Sequence, residues 1–332
     1  TRRKMKQRIA LFGTDMISEV HAAAAQACGY QVVTVSLDDL LAGRVDVDAV
    51  VVATPPHRHA GDVQAFLGRG VTTLIETPLC RTLAEADAMV AASDSGGARL
   101  VYAESLAHAP VVRALLARIP VLGSLTHLEV RALQGPPRHG LSTSDDWGGG
   151  VLFDLGVHPL AVALLCANAS GAGRPTSVSA RLNGGLGDRR DDHAEVRLQF
   201  STGLSATVVC SWTGGPEPVW DAQLASSAGV LRAEMLPRPS LEMNGDQVSS
   251  QLSAATSPIE YLGYLAQMRD LIGIGSSSGS RHESPAMSAA FGRFVLEVVC
   301  ASYLSAGCGG TSVNLPFSGD RDRTPLQHWR GE

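Results

Sequence analysis

The periodicity of the apolar residues changes near residue 120, and this change divides the chain into two halves. Residues 8–120 alternate short, nearly continuous apolar runs with stretches whose apolar spacing is close to 3.6 residues. The candidate strands are RIALFG, YQVVTVS, DAVVVATP, TTLIET and ARLVYAE. Such alternation is typical of a parallel sheet covered by helices on both faces. Residues 1–120 are therefore predicted to form a doubly wound α/β domain.

The second half, residues 121–332, has strands in which apolar and polar residues strictly alternate. The segments THLEVRAL, HAEVRLQF and LSATVVCSW show this pattern, and in the last one Leu204, Ala206, Val208, Cys210 and Trp212 share one face. Alternation of this kind indicates an open antiparallel sheet with one buried face. The segments GGLGDRRDD and GIGSSSGS are predicted to be loops.

The first half has room for only one strand between RIALFG and DAVVVATP. A six-stranded dinucleotide-binding sheet places two strands there, and residues 37–47 are short for a crossover. We therefore predict a truncated parallel sheet that lacks one strand–helix unit. The missing unit would carry the acidic residue that binds the adenosine ribose. Asp38 lies at a plausible distance to replace it, but Asp38 and Asp39 are explained more simply as a helix N-cap.

The turn after the first strand departs from the dinucleotide-binding pattern G-x-G-x-x-G. Gly13 stands at the first glycine, whereas Asp15 and Ser18 stand at the second and third. The middle glycine lets the backbone approach a pyrophosphate. An aspartate there would cap the helix itself and repel a phosphate. An ordinary capped helix is the favoured interpretation of this turn.

The segment DDWGGGVLFDLGVHPLAVALLCA holds the strongest candidate for chemistry. Asp154 and His158 are four residues apart and would face the same way on a helix, among apolar neighbours. An aspartate beside a histidine can orient the imidazole for proton transfer near pH 7. The alternative is structural, with Asp154 as a helix cap and His158 as a satisfied core residue.

The net charge, the length of the apolar runs and the spacing of the cysteines argue against several classes of protein. A net charge of −5 gives no electrostatic reason to expect binding to nucleic acid or to an anionic membrane. No apolar run reaches the roughly 20 residues of a spanning helix, and TRRKMKQR leads directly into a strand rather than into a signal-peptide apolar region. The six cysteines have no metal-ligand spacing, so we expect no metal and a cytoplasmic protein with reduced cysteines.

Three motifs in order resemble the Gfo/Idh/MocA family of sugar and polyol oxidoreductases over nearly the full chain. They are VVVATPPHRHAGDVQAFLGRGVTTLIETPLCRTLAEADAMV, AESLAHAPVVRALL and GGGVLFDLGVHPL. The resemblance implies a Rossmann-like domain followed by an open antiparallel α/β domain, with the active site between them. It also implies a small-molecule substrate and homo-oligomers built through the open sheet.

The resemblance assigns candidate residues to three groups. The catalytic group is Glu76, Thr77, Asp154 and His158, with His158 as the acid/base that acts on a substrate hydroxyl or carbonyl. The substrate-pocket group is Glu104, His108 and Trp147. The cofactor-binding group, which applies if NAD(P) binds, is Gly13, Thr14, Asp15, Thr54, Pro55, His59 and Pro78.

Thr77 is the decisive departure from the family pattern, which has a lysine there. That lysine helps to position the nicotinamide and stabilises charge at the carbinol oxygen, and a threonine carries no charge. Together with the Gly13 turn and the missing strand–helix unit, this departure affects cofactor chemistry. We therefore expect no redox cofactor, and an enzyme of specialised metabolism that isomerises, eliminates from or cyclises a sugar-like or polyketide-like molecule.

Two alternatives remain open. The chain could be a divergent NAD(P)-dependent oxidoreductase of a sugar or polyol that tolerates Thr77. It could also be a non-catalytic subunit that stabilises a hetero-partner, such as another enzyme of its pathway.

Overall fold

The computed structural model describes residues 7–95, 98–137, 145–184, 190–248, 257–272 and 288–332. Within these residues the chain forms a parallel sheet, named sheet A, and a larger, mostly antiparallel sheet, named sheet B. The predicted succession of a parallel and an antiparallel sheet is confirmed. The predicted loop GIGSSSGS and residues 185–189 of the other predicted loop lie outside the described residues.

Sheet A consists of five parallel strands. They are β1 (Arg8–Phe12), β2 (Gln31–Val33), β3 (Ala49–Val52), β4 (Thr72–Ile75) and β5 (Leu100–Tyr102). Their order is β2-β1-β3-β4-β5. One strand, β2, lies between β1 and β3 in the chain, so the sheet is truncated by one strand–helix unit as predicted.

The helices of the first half follow the strands in turn. They are α1 (Met16–Ala27), α2 (Leu37–Leu41), α3 (Pro56–Leu67), α4 (Leu83–Ser95) and α5 (Pro110–Leu122). The hydroxyl of Ser36 caps α2 by accepting the backbone N–H of Asp39 at 3.0 Å. The cap of α2 is therefore Ser36, while Asp38 and Asp39 lie in its first turn, where the helix dipole stabilises carboxylates.

Sheet B consists of nine strands. They are β6 (Leu125–Leu133), β7 (Pro175–Asn183), β8 (His193–Phe200), β9 (Ser205–Ser211), β10 (Val219–Ser226), β11 (Gly229–Leu236), β12 (Ser240–Met243), β13 (Asp246–Gln247) and β14 (Val313–Asn314). Their order is β13-β12-β11-β10-β6-β9-β8-β7-β14. Among these strands β6 and β9 pair in parallel, and the other pairs are antiparallel.

Sheet B has one face covered by helices, as its alternating sequence predicts. The remaining helices are α6 (Val151–Asp154), α7 (Val157–Ala169), α8 (Pro258–Tyr261), α9 (Tyr264–Ile272), α10 (Ala289–Gly307) and α11 (Pro325–Arg330). Helix α7 packs on β6 and β9, and α10 packs on β7. Ala206, Val208 and Cys210 of β9 point into this interface and are at most 1% exposed.

The division of the chain at residue 120 stays a proposal, because two helices connect the halves. Helix α5 runs through residue 120 and packs against α7 and β11. Helix α9, from the second half, buries Met268 and Leu271 in one apolar cluster with Ile9 and Leu74 of sheet A.

Helix α10 is long and apolar enough to cross a membrane by length and composition alone. Its apolar window is 72% buried inside the protein, and its Arg293 and Glu297 pair with each other. Helix α10 is therefore explained as a core helix that packs against sheet B.

Asp191 fixes the start of α6. Its buried carboxylate accepts the backbone N–H groups of Gly150 at 3.1 Å and Leu152 at 2.8 Å, and the hydroxyl of Tyr303 at 2.6 Å. These bonds satisfy donors that a helix start leaves without partners. The segment that leads to His158 is thereby tied to sheet B and to α10.

We expect Gly150→Ala to destabilise the fold, because a Cβ at Gly150 would collide with the backbone carbonyl oxygen of Asp191. The expected loss is about 1–3 kcal/mol of unfolding free energy, measured by urea or thermal unfolding. Gly61→Ala is the matched control, since Gly61 lies within α3 with no atom near its added Cβ. That control should be neutral or gain up to about 1 kcal/mol. Equal stability of the two variants would contradict the expectation.

Candidate active site

The carboxyl ends of the parallel strands bring four chain segments to one edge of sheet A. Gly13 follows β1, Thr54 follows β3, Glu76 follows β4 and Glu104 follows β5. Parallel α/β sheets bind ligands at this edge because loops and helix N-termini meet there. The candidate residues of the first half are thus gathered by the topology of the sheet.

His158 reaches this edge from the first turn of α7. Its Nδ1 donates to both carboxylate oxygens of Glu104, at 3.0 and 3.2 Å. Its ring stacks on the indole of Trp220, with 5.7 Å between centroids and 25° between planes. The side chain of Glu104 is 0% exposed and that of His158 is 19% exposed. Glu104 therefore holds one edge of the His158 ring, and Trp220 covers one of its faces. The other ring nitrogen, Nε2, is the one that a substrate could contact.

The carboxylate that binds His158 is not the one predicted from the sequence. A continuous helix would place Asp154 and His158 on one face, but α6 ends at Asp154 and α7 begins at Val157. The hydrogen-bond partner of His158 is instead Glu104, 54 residues earlier in the chain. The expectation that Asp154 orients the imidazole is corrected on this point.

Asp154 still contributes to the electrostatics of the site. Burial raises the pKa of Asp154 to about 6, against the lowering effects of His158 and of the Trp147 indole. Burial alone would lower the pKa of His158, but Glu104, Glu76 and Asp154 raise it above its ordinary value. The imidazole is thus surrounded by groups that favour its protonated form.

Glu76 forms a second carboxylate–histidine pair, with His21 of α1. The Nε2 of the fully buried His21 donates to Glu76 at 2.5 Å, and the backbone N–H of Thr77 donates to the other carboxylate oxygen at 2.8 Å. Burial acts to raise the pKa of Glu76, but the bond from His21 holds it below its usual range. The Thr77 hydroxyl lies 3.4 Å from the same carboxylate, so it faces the site without adding a charge.

The predicted loop residues after β3 and β4 are linked by His59. The buried ring of His59 bonds to the carbonyl oxygen of Thr54 through Nε2 at 2.5 Å. Its Nδ1 faces the carbonyl oxygens of Pro78 and Leu79 at 3.1 and 3.2 Å. Burial lowers the pKa of His59. His59 therefore joins the turn that contains Pro55 to the segment that carries Glu76 and Thr77.

The turn after β1 combines a glycine of positive φ with an acidic helix cap. Gly13 has φ +138°, and a Cβ there would collide with the carbonyl oxygen of Ala53 and lie 2.6 Å from the Ser18 hydroxyl. Asp15 is the N-cap of α1, as predicted, and accepts the N–H of Ser18 at 3.3 Å. Thr14 and Asp15 are exposed.

His108 does not join the other candidate pocket residues. It is 3% exposed, and its Nδ1 lies 3.1 Å from the carboxylate of Asp270 on α9. It thus ties the helical turn at Ser105–His108 to α9. Trp147, the third predicted pocket residue, is half-buried in a short turn before α6 and lies near Asp154.

Three residues of the site were not found by sequence reasoning. They are His21, Trp220 and Tyr264, whose ring packs edge-on against His21 at 5.6 Å. A lone histidine in the alanine-rich face of α1 was the available signal for the first. Trp220 and Tyr264 give no local signal, because each depends on a contact between distant parts of the chain. In the described part of the chain, no three His, Cys, Asp or Glu side chains are grouped to hold a metal ion.

A truncated dinucleotide-type sheet is followed by an open mixed sheet, and a histidine is held at the edge where the two meet. Residues 5–104 match the family described as "Oxidoreductase family, NAD-binding Rossmann fold", and residues 113–232 match the "GFO/IDH/MocA C-terminal domain". The chain belongs to the Gfo/Idh/MocA family.

Similar proteins include one from Amycolatopsis mediterranei and one from Streptomyces antibioticus. A putative UDP-kanosamine synthase oxidoreductase subunit of Amycolatopsis mediterranei is 28% identical over 294 residues, which are 79% of each chain. A dTDP-3,4-didehydro-2,6-dideoxy-alpha-D-glucose 3-reductase of Streptomyces antibioticus is 35% identical over 162 residues, or about half (47%) of each chain. The structure of the WlbA dehydrogenase from Bordetella pertussis with NADH and UDP-GlcNAcA has TM-score 0.74 at 20% identity, covering 95% of this chain and 99% of that one.

The expectation that no redox cofactor is used is wrong. The family matched by residues 5–104 is described as NAD-binding, and proteins of the same fold have been crystallised with NAD or NADH. The residues present fit such a group, because Thr14 and Asp15 are exposed and α1, whose first backbone N–H groups can bind a phosphate, begins directly after them. The sequence argument failed because it weighed the side chains of the turn above its backbone, which supplies the phosphate-binding donors.

We expect Asp154→Asn to change how stability depends on pH. With a pKa of about 6 in the folded protein and 3.8 as the ordinary value, Asp154 binds more protons in the native than in the unfolded state. Its contribution to stability is therefore lost as pH rises from about 4 to 6. Asparagine does not titrate, so the variant should gain about 2–3 kcal/mol relative to wild type across this window, measured by urea unfolding at each pH. Parallel pH curves for the two proteins would contradict the shift.

Proposed function

We propose that the protein is an NAD(P)-dependent oxidoreductase that acts on a ring hydroxyl or keto group of a sugar, free or linked to a nucleotide. The observation that carries the proposal is the pair of His158 and Glu104, which leaves Nε2 of a partly exposed imidazole at the ligand-binding edge of sheet A. Family membership adds the cofactor.

The chain offers a place for the dinucleotide at the same edge. The Gly13 turn and the start of α1, with Thr14 and Asp15, would hold the phosphates, and the Thr54–Pro55 turn would lie beside the cofactor. A bound nicotinamide supplies or accepts the hydride. Glu76, Thr77 and Pro78 form the segment after β4, fixed from behind by His21 and His59.

His158 would transfer the proton that accompanies the redox step. An imidazole within hydrogen-bond reach of a substrate oxygen can take or give this proton, and groups of this kind contribute roughly 10²–10⁴-fold. Glu104 holds the ring in one orientation, so the proton moves at Nε2. Trp220 covers one face of the ring and excludes water from that side.

The sugar class is supported by the relatives. Two of them carry names of enzymes of UDP- or dTDP-linked sugars, and a protein of the same fold was crystallised with a UDP-linked sugar. The chain's own site is polar and acidic, with Glu76, Glu104 and Asp154 around His158. Such a site suits a hydroxylated substrate better than an apolar one.

Assembly and location are part of the proposal. The face of sheet B away from α7 and α10 carries charged pairs such as Arg131 with Asp221, and we assign self-association to this face. A hetero-partner is the alternative occupant of this face.

The cysteines bear on the proposed location. All six cysteines are free, and four of them are buried, which suits the reducing cytoplasm.

We expect NADH to bind, and Asp15→Gly to tighten its binding by about five- to tenfold. The change removes a carboxylate from the phosphate turn, while glycine keeps most of the capping preference. Calorimetric titration with NADH and with NADPH measures both affinities. Asp246→Asn removes an equal charge from β13 of sheet B and should leave the affinity unchanged. Gly13→Val should abolish binding, and unchanged affinity in both turn variants would refute this cofactor site.

We expect His158→Gln to lower turnover by about a hundredfold or more while the melting temperature stays close to that of wild type. The assay follows NAD(P)H absorbance with a panel of free, UDP-linked and dTDP-linked sugars in both directions. His127→Gln is the matched control, since His127 lies on β6 and bonds to Ser205. If activity and melting temperature fall together, the role of His158 is structural.

A further inference from the structure

Among the described residues, the ionisable side chains that act on His158 are acidic. Glu104 contacts it directly from the segment after β5, Glu76 faces it from the segment after β4, and Asp154 faces it from α6. The fourth neighbour, Trp220 of β10, is uncharged. His21 lies behind Glu76 and is bonded to it.

The position where the family pattern has a lysine holds Thr77. A lysine there would place a cation beside Glu76 and disfavour a second cation on His158. Thr77 instead donates its backbone N–H to Glu76 and leaves the carboxylates without a lysine. Among the described residues at this edge, the imidazole of His158 is the partly exposed group that can carry the compensating positive charge.

The geometry of Glu104 determines which nitrogen of His158 can act. A carboxylate only accepts hydrogen bonds, so Nδ1 must carry a proton, and both oxygens lie within 3.2 Å of it. Glu104 is itself fixed by the N–H of Leu106 at 3.1 Å and is 0% exposed. A second proton on the ring is therefore carried by Nε2.

We propose that Glu104 is a positioning residue that holds His158 in its protonated form, so that the enzyme works near neutral pH as a reductase of keto sugars. This inference rests on the proposed function. The oxygen of the substrate carbonyl takes a proton from Nε2 of His158, and a bound reduced nicotinamide would supply a hydride to the carbonyl carbon and become oxidised. The C=O π bond breaks, new C–H and O–H bonds form, and His158 is left neutral. Solvent then restores its proton through the exposed part of the ring.

The chemistry of the substrate indicates which class of reaction must precede this one. A carbonyl on a sugar ring must be supplied by a preceding oxidation of a secondary alcohol or by a dehydration that leaves a keto group. The product is a sugar with a new ring hydroxyl.

Histidine-selective isotope labelling and NMR titration of the cofactor-free protein test the role of Glu104 without any assay of activity. The His158 signal is assigned by its loss in His158→Gln. We expect its midpoint above that of an ordinary histidine in wild type, and a fall of about one pH unit or more in Glu104→Gln. Thr77→Lys should lower it too. A wild-type midpoint at or below that of an ordinary histidine, or an unchanged midpoint in Glu104→Gln, would overturn the proposal.

Glu85→Gln is the matched control for this titration. The Glu85 carboxylate also accepts backbone N–H groups at a helix start, those of Arg81 and Thr82, without contacting a histidine. It should leave the His158 midpoint and the activity unchanged. Circular dichroism and melting temperature verify that Glu104→Gln is folded. If Glu104→Gln does not fold, the Thr77→Lys midpoint decides, and an unchanged midpoint there counts against the proposal.

Kinetics separate this inference from the proposed function. At pH 7 the keto sugar should be reduced faster than the corresponding alcohol is oxidised, and kcat for reduction should fall above the His158 midpoint. Glu104→Gln should lower kcat by about tenfold or more with little change in KM. If the alcohol is oxidised faster than the keto sugar is reduced at pH 7, the inference is overturned, but the proposed oxidoreductase function is still supported. No turnover of any sugar with NAD(P)H refutes the proposed function, whereas the titration still decides the role of Glu104.

Discussion

The contact between Glu104 and His158 joins the two halves of the chain at the point where a ligand would bind. Glu104 ends β5 of sheet A, and His158 begins α7, which packs on sheet B. A buried carboxylate that loses its hydrogen-bond donors is strongly unfavourable. Any displacement of α7 that separated this pair would leave Glu104 with only the N–H of Leu106. The same contact therefore fixes the relation of the sheets and the orientation of the imidazole.

The site also contains a second carboxylate–histidine pair. Glu76 and His21 join β4 to α1, and Tyr264 of α9 packs on His21 from the second half of the chain. The two pairs thus connect four elements that are distant in sequence. Because each carboxylate is bonded both to a histidine and to a backbone N–H, its position is set by the fold rather than by a flexible side chain. A site built in this way is organised before substrate arrives, which limits the reorganisation needed during the reaction.

Local rules predicted much of the fold and less of the site. Apolar periodicity gave the strands of sheet A and their number, and capping chemistry gave Asp15 as the start of α1. The partner of His158 could not be predicted in this way, because spacing along a helix says nothing about a carboxylate 54 residues away. Helical spacing favoured Asp154, but the chain breaks between α6 and α7. The stacking of Trp220 on His158 could not be predicted from local rules either. Strand β10, which carries Trp220, lies near α7 only because of the order of the strands in sheet B.

A dinucleotide can be bound by backbone groups even where the side-chain signature of the turn is altered. The donors that bind a pyrophosphate are backbone N–H groups at a helix start, and these persist whatever residue caps the helix. The cap bond from Ser18 to Asp15 is long, at 3.3 Å, and Asp15 is exposed, so an incoming phosphate would displace a weak contact. What remains is the repulsion between two negative groups, worth about 1 kcal/mol in water and more where water is excluded. Under the proposed function, Asp15 would therefore weaken dinucleotide binding without removing the site, and Thr77 would leave the positive charge of the site to His158 without removing proton transfer.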